Sequence, residues 1–268
     1  MKFLRVTACL YVSLIGVMFL AFVAAYPLGW VQAYPPIPSH YEKISSKPLE
    51  PITKLNTLYK KEDEPLKEYY ARLANAVYMG IPHFWDTRND HAFTRVSPLD
   101  NYLLWLYSYL PGHQHFAQYE FSIPQKTVDR GYGFCSQVSR MIYYILEDQS
   151  IEAKVQSHPN HVIVSVDGGI IDATYGFFLP YTTEQIKDNL NLLEEVSRSP
   201  SDFVRLKEVF SEETGVWSIP ENHDSLYSYM MRMEVVAEIL KWIPPILLIL
   251  VGPMLLFTGR NATSNHRF

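Results

Sequence analysis

A chain of 268 residues with a net charge of −5 and no long charge run argues against nucleic acid as a partner. The length allows one sizeable domain plus appendages, and a hydrophobic fraction of 48% suits a packed core only after two apolar segments near the chain ends are set aside. The only cysteines are Cys9 and Cys135, and Cys9 lies inside the first apolar segment, which excludes a disulfide framework.

That first segment, Val6 to Ala25, is twenty residues without a charge, preceded by Lys2 and Arg5. It is long enough to cross a bilayer, and longer than the ~7–15 apolar residues of a signal peptide, so it predicts an uncleaved anchor. Cleavage after Val23-Ala24-Ala25 or Val31-Gln32-Ala33 is the alternative. Pro27, Pro35, Pro36, Pro38, Pro48 and Pro51 then mark a semi-rigid spacer. A helix is predicted over Glu64 to Met79, with Pro65 in its first turn and Leu66, Tyr69, Tyr70, Leu73 and Val77 as its apolar face. Ser97-Pro98 opens a second helix through Leu103, Leu104, Leu106 and Tyr107, which Pro111-Gly112 ends. Both are expected to pack beside a helix that starts at Cys135.

His113 and His115 suggest a metal pair, but no Cys, Asp or Glu stands at ligand spacing, so neither metal nor other cofactor is expected. The chemistry-bearing stretch runs from Asp129 to Gly176. There a Gly-punctuated turn, Gly131-Tyr132-Gly133-Phe134, leads into Cys135, and Val138, Met141, Ile142, Ile145 and Leu146 follow at helical spacing. Next come a strand starting at His161, an Asp-Gly-Gly turn at Asp167 to Gly169, and a second apolar run carrying Asp172.

A thiol at a helix start, an imidazole at a strand start and a carboxylate on the next strand are the parts of a nucleophile, a base and an orienting group. A helix N-terminus and a nearby imidazolium both stabilise a thiolate. With Asp167-Gly168 as a two-residue turn, Val166 pairs with Gly169 and Ile163 with Asp172, which puts His161 and Asp172 on one sheet face. A three-residue loop would put them on opposite faces. Taken singly, Cys135 reads more often as a buried core thiol, His161 more often as a hydrogen-bonded surface or edge histidine, and Asp172 as a turn cap.

The residues GFCSQVSRMIYYILEDQSIEAKV and HVIVSVDGGIIDATYG resemble the core of the transglutaminase-like superfamily of papain-like cysteine enzymes. The likeness covers 48 residues, Asp129 to Gly176: a helix ending in a "Gly-Ile-Glu-Ala"-like turn (Ser150 to Ala153), a "His-Ala-Trp-Val"-like strand and an "Asp-Pro-Thr"-like strand. It implies Cys135 as nucleophile, His161 as general base and Asp172 as the residue that holds the imidazole. Ile163 replaces the usual Trp and Ala173 the usual Pro, which leaves the substrate class open. Gln125 is a candidate oxyanion donor, with a surface-loop glutamine as the alternative.

Beyond Gly176 helices are expected over Thr183 to Ser197, capped by Thr183, over Ser201 to Glu213, and over Tyr227 to Lys241. Trp242 to Thr258 is a second uncharged segment of seventeen residues, followed by Arg260 and Arg267. It reads as a span, with a buried core helix as the alternative. Basic flanks outside both spans predict cytoplasmic termini and an outward-facing middle.

The expected fold is α+β, a transglutaminase-like/papain-like domain with a helical layer on an antiparallel sheet, held between two transmembrane helices. Its parts are an anchor over 1–26, a Pro-rich spacer over 27–56, a catalytic core over 57–180, a helical region over 181–240, a second span over 241–259 and a tail over 260–268. The expected activity is acyl transfer through a Cys135 thioester on an amide of a peptide or protein outside the cytoplasm, as a peptidase, an amidase or a cross-linking transferase. Partners in the cell envelope are candidates as well. The rivals are a catalytically silent domain serving as an envelope scaffold, and a glycan-binding module resting on Trp85, Trp105 and Tyr132.

Overall fold

The computed structural model describes residues 2–34, 52, 54–83, 94–111, 113–158, 161–211, 217–218 and 223–261. Most of the Pro-rich spacer, Trp85 and the tail beyond 261 lie outside them. Contacts divide the chain into two compact units, one of Met1–Pro35, His91–Tyr119 and Arg232–Phe268 and the other of Pro36–Asp90 and Glu120–Met231. This division differs from the expected core over 57–180. The segment 91–119, with the helix opened by Ser97-Pro98, belongs to the unit of the apolar terminal helices.

The unit containing both termini is built on α1 (Lys2–Ala25) and α9 (Ile243–Asn261), which pack against each other. Two glycines allow that approach. A Cβ on Gly16 would stand 2.7 Å from the Ile249 nitrogen, and one on Gly252 2.0 Å from Ser13 Oγ and 2.7 Å from the Cys9 carbonyl. Small residues at such crossings let two helices touch along their backbones, the packing available where burial of apolar surface gives no drive. The second apolar stretch is longer than expected: α8 (His223–Leu240) meets α9 at Lys241, and the membrane-compatible segment runs over Met231–Met254. Two helices are thus long and apolar enough to cross a membrane.

Against these lies α3 (Pro98–Tyr107), with Ser97 Oγ capping its Leu99 N–H at 3.2 Å. It kinks at Asn101 (φ −149°, ψ 96°), whose side-chain oxygen accepts from the N–H groups of Leu103 and Leu104 and so caps the helix a second time.

The other unit is a five-stranded antiparallel sheet in the order β4-β3-β2-β1-β5. Its strands are β1 (Ala153–His158), β2 (His161–Val166), β3 (Gly169–Asp172), β4 (Phe177–Leu179) and a two-residue edge strand β5 (Trp217–Ser218). Helices cover both faces. One face, with Val164, Ile171 and Ala173, packs on α2 (Leu66–Gly80) and α5 (Cys135–Asp148). The other, with Ile163, Ile170 and Leu179, packs on α6 (Thr183–Asp188), a 3-10 turn (Leu190–Glu195) and α7 (Pro200–Ser211).

The expectation of one helical layer is therefore extended to two, and all four residues of β3 are buried. A strand buried on both faces reads as a continuous apolar run. The helix expected over Thr183 to Ser197 begins with Thr182 as cap, in a reciprocal capping box with Gln185. It breaks at Asn189 (φ −141°, ψ 82°), whose side chain caps the 3-10 turn that follows.

The stripe on α5 is buried as its spacing requires: Val138, Met141, Ile142, Ile145 and Leu146 all face the core. Each contributes about 1.5–3 kcal/mol by removal from water. The helix ends in a Schellman arrangement, with Ser150 N–H donating to Glu147 and Ile151 N–H to Leu146. Ser150 takes φ 57°, a left-handed conformation that glycine adopts without cost.

Candidate active site

Four local features position the thiol. The short helix α4 (Pro124–Arg130) ends on Gly131, left-handed at φ 74°. The chain then passes Gly133, which bridges to His83 and donates its N–H to the Pro82 carbonyl at 3.3 Å. A side chain at 133 would collide with Gln137, 2.9 Å from a built Cβ. Buried Gln137 ties the turn to its surroundings: its amide donates to the Phe121 carbonyl at 2.9 Å and to Thr127 Oγ1 at 2.7 Å, and its oxygen accepts from the Phe121 N–H at 2.6 Å. Cys135 is thereby the first residue of α5, behind Phe134, which has no oxygen with which to cap the helix. The N–H groups of such a first turn have no intrahelical partner.

The hairpin has the register that brings base and carboxylate together. Val166 pairs with Gly169, Ser165 with Ile170 and Val164 with Ile171, around a turn in which Gly168 takes φ 71°. One step further along this register, Ile163 faces Asp172, and His161 lies diagonally from Asp172 on the same face. His161 Nε2 is 2.7 Å from Asp172 Oδ2, and the Cys135 thiol stands near enough to the same imidazole to help raise it. The other Asp172 oxygen accepts from the backbone N–H groups of Thr174 (2.9 Å) and Tyr175 (3.1 Å), so the carboxylate is held by the turn it begins.

All three groups are shielded, with Cys135 at 7%, His161 at 5% and Asp172 at 0% exposure. Burial disfavours a charged imidazole, yet the Asp172 charge, the Asp172 hydrogen bond and Cys135 together outweigh it and push His161 up to about 10. Tyr175 packs edge-on against the His161 ring at 5.7 Å, and burial pushes its phenol up.

Two further histidines stand in the field of this pair, and neither was read from the sequence. His158 is the cross-strand partner of His161. It packs on Phe210 at 5.0 Å, and its Nε2 is buried without a hydrogen-bond partner. Burial first, then the His161 charge, lower it to about 4 against the opposing pull of Asp172 and Glu184. His83 is lowered to about 4 for the same leading reasons. The only signal for His158 was its place three residues before His161. For His83, fifty residues upstream of Gly133, there was none.

Of the remaining expected residues, Gln125 is turned outward and donates to Asp129 at 2.7 Å on its own helix. Tyr132 is buried beneath Arg130, 5.5 Å from its ring centre, and Trp105 belongs to the other unit. A groove of about 630 Å³ opens near the hairpin turn, along Ile151, Lys154, Asp167 and Glu184, and includes none of the three site residues. No family model, curated protein or solved structure matches the chain.

Proposed function

We propose that this protein is a membrane-anchored cysteine acyltransferase or hydrolase with a transglutaminase-like fold, acting on an amide bond of a peptide or protein. The observation that carries the reading is the His161–Asp172 hydrogen bond with the Cys135 thiol beside that imidazole, at the first turn of α5. Cys135 Sγ would attack the carbonyl carbon, and the oxyanion would develop against the first-turn N–H groups of α5. His161 then donates its proton to the leaving nitrogen as the C–N bond breaks, leaving a thioester. Water or an amine, deprotonated by His161, attacks the thioester and releases the thiolate. Asp172 fixes the imidazole orientation and stabilises its charged form throughout.

The raised His161 supports this order of events, because an imidazolium that persists through neutral pH stabilises a thiolate beside it. The reading places the sheet-bearing unit outside the cytoplasm, with both termini inside, on the basis of Lys2 and Arg5 in the first turns of α1, before its apolar segment, and Arg260 and Arg267 at the other end.

A catalytically silent scaffold is the second reading, and the closed state of the site favours it: a carbonyl has to reach a sulfur that is 7% exposed. Incubation of the purified full chain with an activated acyl ester separates the two. The enzyme reading expects one acyl adduct on Cys135, removed by hydroxylamine as thioesters are and absent in Cys135→Ser. No adduct on Cys135, with the chain folded, leaves the scaffold. For orientation, a reporter after Phe268 should be active only in the cytoplasm and one near Ser46 only outside.

A further inference from the structure

The unit that holds α1 and α9 distributes polarity in reverse. On α3 and the three residues after it the polar Asp100, Asn101 and Ser108 are buried, while Leu106, Tyr109 and Leu110 just before Pro111 are 50–60% exposed. The end of α8 repeats this pattern: Glu234 and Lys241 are at 0% and 3%, and Val235, Val236 and Ile239 face outward.

The buried polar groups find one another. Lys241 Nζ donates to the Asp100 carbonyl at 2.8 Å and to Glu238 at 2.7 Å, Asn101 Nδ2 donates to Glu238 at 2.8 Å, and Tyr34 Oη donates to Asp100 at 2.6 Å. Ionisable side chains are almost never fully buried unless paired, and here the pairing lies beneath outward-facing apolar side chains, the reverse of a water-facing surface. Pairing inward with apolar groups outward is how polar residues are accommodated next to lipid.

Depth along α1 points the same way. The Tyr102 ring on α3 packs on Phe19 at 5.0 Å, and Tyr102 Oη donates to the Lys241 carbonyl at 3.0 Å. Phe19 lies six residues before the end of α1, about 9 Å along the helix axis at 1.5 Å per residue. Thus α3 flanks the end of the apolar segment and does not lie beyond it.

We propose that α3 and the last turns of α8 form a collar seated in the phospholipid headgroup and upper acyl region, with Leu106, Tyr109, Leu110, Val235, Val236 and Ile239 as its lipid-facing side. The occupant of this surface is the bilayer that α1 and α9 cross, and the proposal rests on that spanning reading. The chain would then have a third membrane-embedded element between its two spans, of the interfacial kind in which an apolar face enters the headgroup boundary while the polar face is satisfied within the protein.

The test uses the full chain in phosphatidylcholine vesicles, with Cys9→Ser and Cys135→Ser and a single spin-labelled cysteine at 106, 110 or 239. Collision with dissolved oxygen is compared with collision with a water-soluble nickel chelate. A label at exposed Met18 on α1 is the membrane reference and one at exposed Lys154 the aqueous reference. The collar predicts oxygen-to-nickel ratios at 106, 110 and 239 several-fold above position 154, approaching that of 18. Nickel-dominated collision at the three sites, with 18 oxygen-dominated, overturns the collar while leaving the spans. Nickel-dominated collision at 18 too removes the spans and the collar with them. Low collision with both reagents means that protein, not lipid, covers the surface, and also overturns it. Thermal unfolding of each labelled chain identifies any label that disrupts its helix, and the remaining positions then decide.

Discussion

In the unit of α1, α3, α9 and the end of α8, the buried set includes Asp100, Asn101, Glu234 and Lys241, while leucines and valines of the same helices are exposed. In the sheet unit the buried set is Ile142, Ile145, Leu146, Ile163 and Ile171, and Lys154 and Glu152 stand in solvent. Both units bury charge, for different ends. The first pairs its charges into a seam beneath an apolar surface. The second buries the His161–Asp172 pair between two apolar layers with a thiol at its edge, and buries Lys126, Arg130 and Arg140 besides. The buried charges of the two units thus differ in what surrounds them: outward-facing apolar side chains in the first, an apolar interior in the second.

The sharpest way to break the chemical half is His161→Gln. Its amide cannot take a proton, and acylation of Cys135 by an activated ester should fall by about 10²–10⁴-fold. A folded variant with unchanged acylation kinetics removes the general base from the account. Next in size is Asp172→Ala, which leaves a buried imidazole without its partner and the Thr174 and Tyr175 N–H groups without an acceptor. Loss of about 3–5 kcal/mol in denaturant unfolding is expected. Asp172→Asn keeps an oxygen for those N–H groups, so it should be milder in stability than in activity.

For the membrane half, Gly252→Leu forces a side chain into Ser13 and the Cys9 carbonyl. It should cost about 1–3 kcal/mol in detergent unfolding, as overpacking does. An unaffected midpoint means that α1 and α9 do not pack in this way.

The histidines give a pH profile with two limbs. His161 titrates near 6.5 when unfolded and at about 10 in the fold, so its contribution is complete below pH 6.5 and is lost as pH rises through 10. His83 and His158 have folded values of about 4, so they weaken the fold as pH drops from 6.5 towards 4. Stability should therefore peak near pH 6.5, and His158→Leu should flatten the acid limb alone. Identical acid limbs in the two chains would count against a neutral, buried His158. The smallest effect is Ser150→Gly, which relieves the left-handed residue at the end of α5 and should raise stability by about 0.5–1 kcal/mol.

What the sequence disclosed was local. The α5 stripe, the hairpin register and the Cys-His-Asp order rest on periodicity and turn chemistry, and these act within some fifty residues. The two apolar helices were visible through length and lack of charge. The place of α3 was not, because its leucines and tyrosines read as the face of a core helix, and only the burial of Asp100 and Asn101 reveals which side is inward. The break at Asn189 and the second helical layer were hidden for a similar reason: helical spacing in Ile186, Leu190 and Leu193 does not say whether one helix or two short ones carry it. His83 reaches the site through a single bridge to Gly133, a contact no local pattern encodes.

The central claim is that Cys135 is an activated nucleophile and not a packed core thiol. Its most direct test is the rate of alkylation of Cys135 by iodoacetamide in the folded full chain with Cys9→Ser, measured by mass spectrometry from pH 5 to 9. The account predicts a rate well above that of free cysteine at the acid end, reduced by His161→Gln. A rate below that of free cysteine across the whole range, unchanged by His161→Gln, would contradict it.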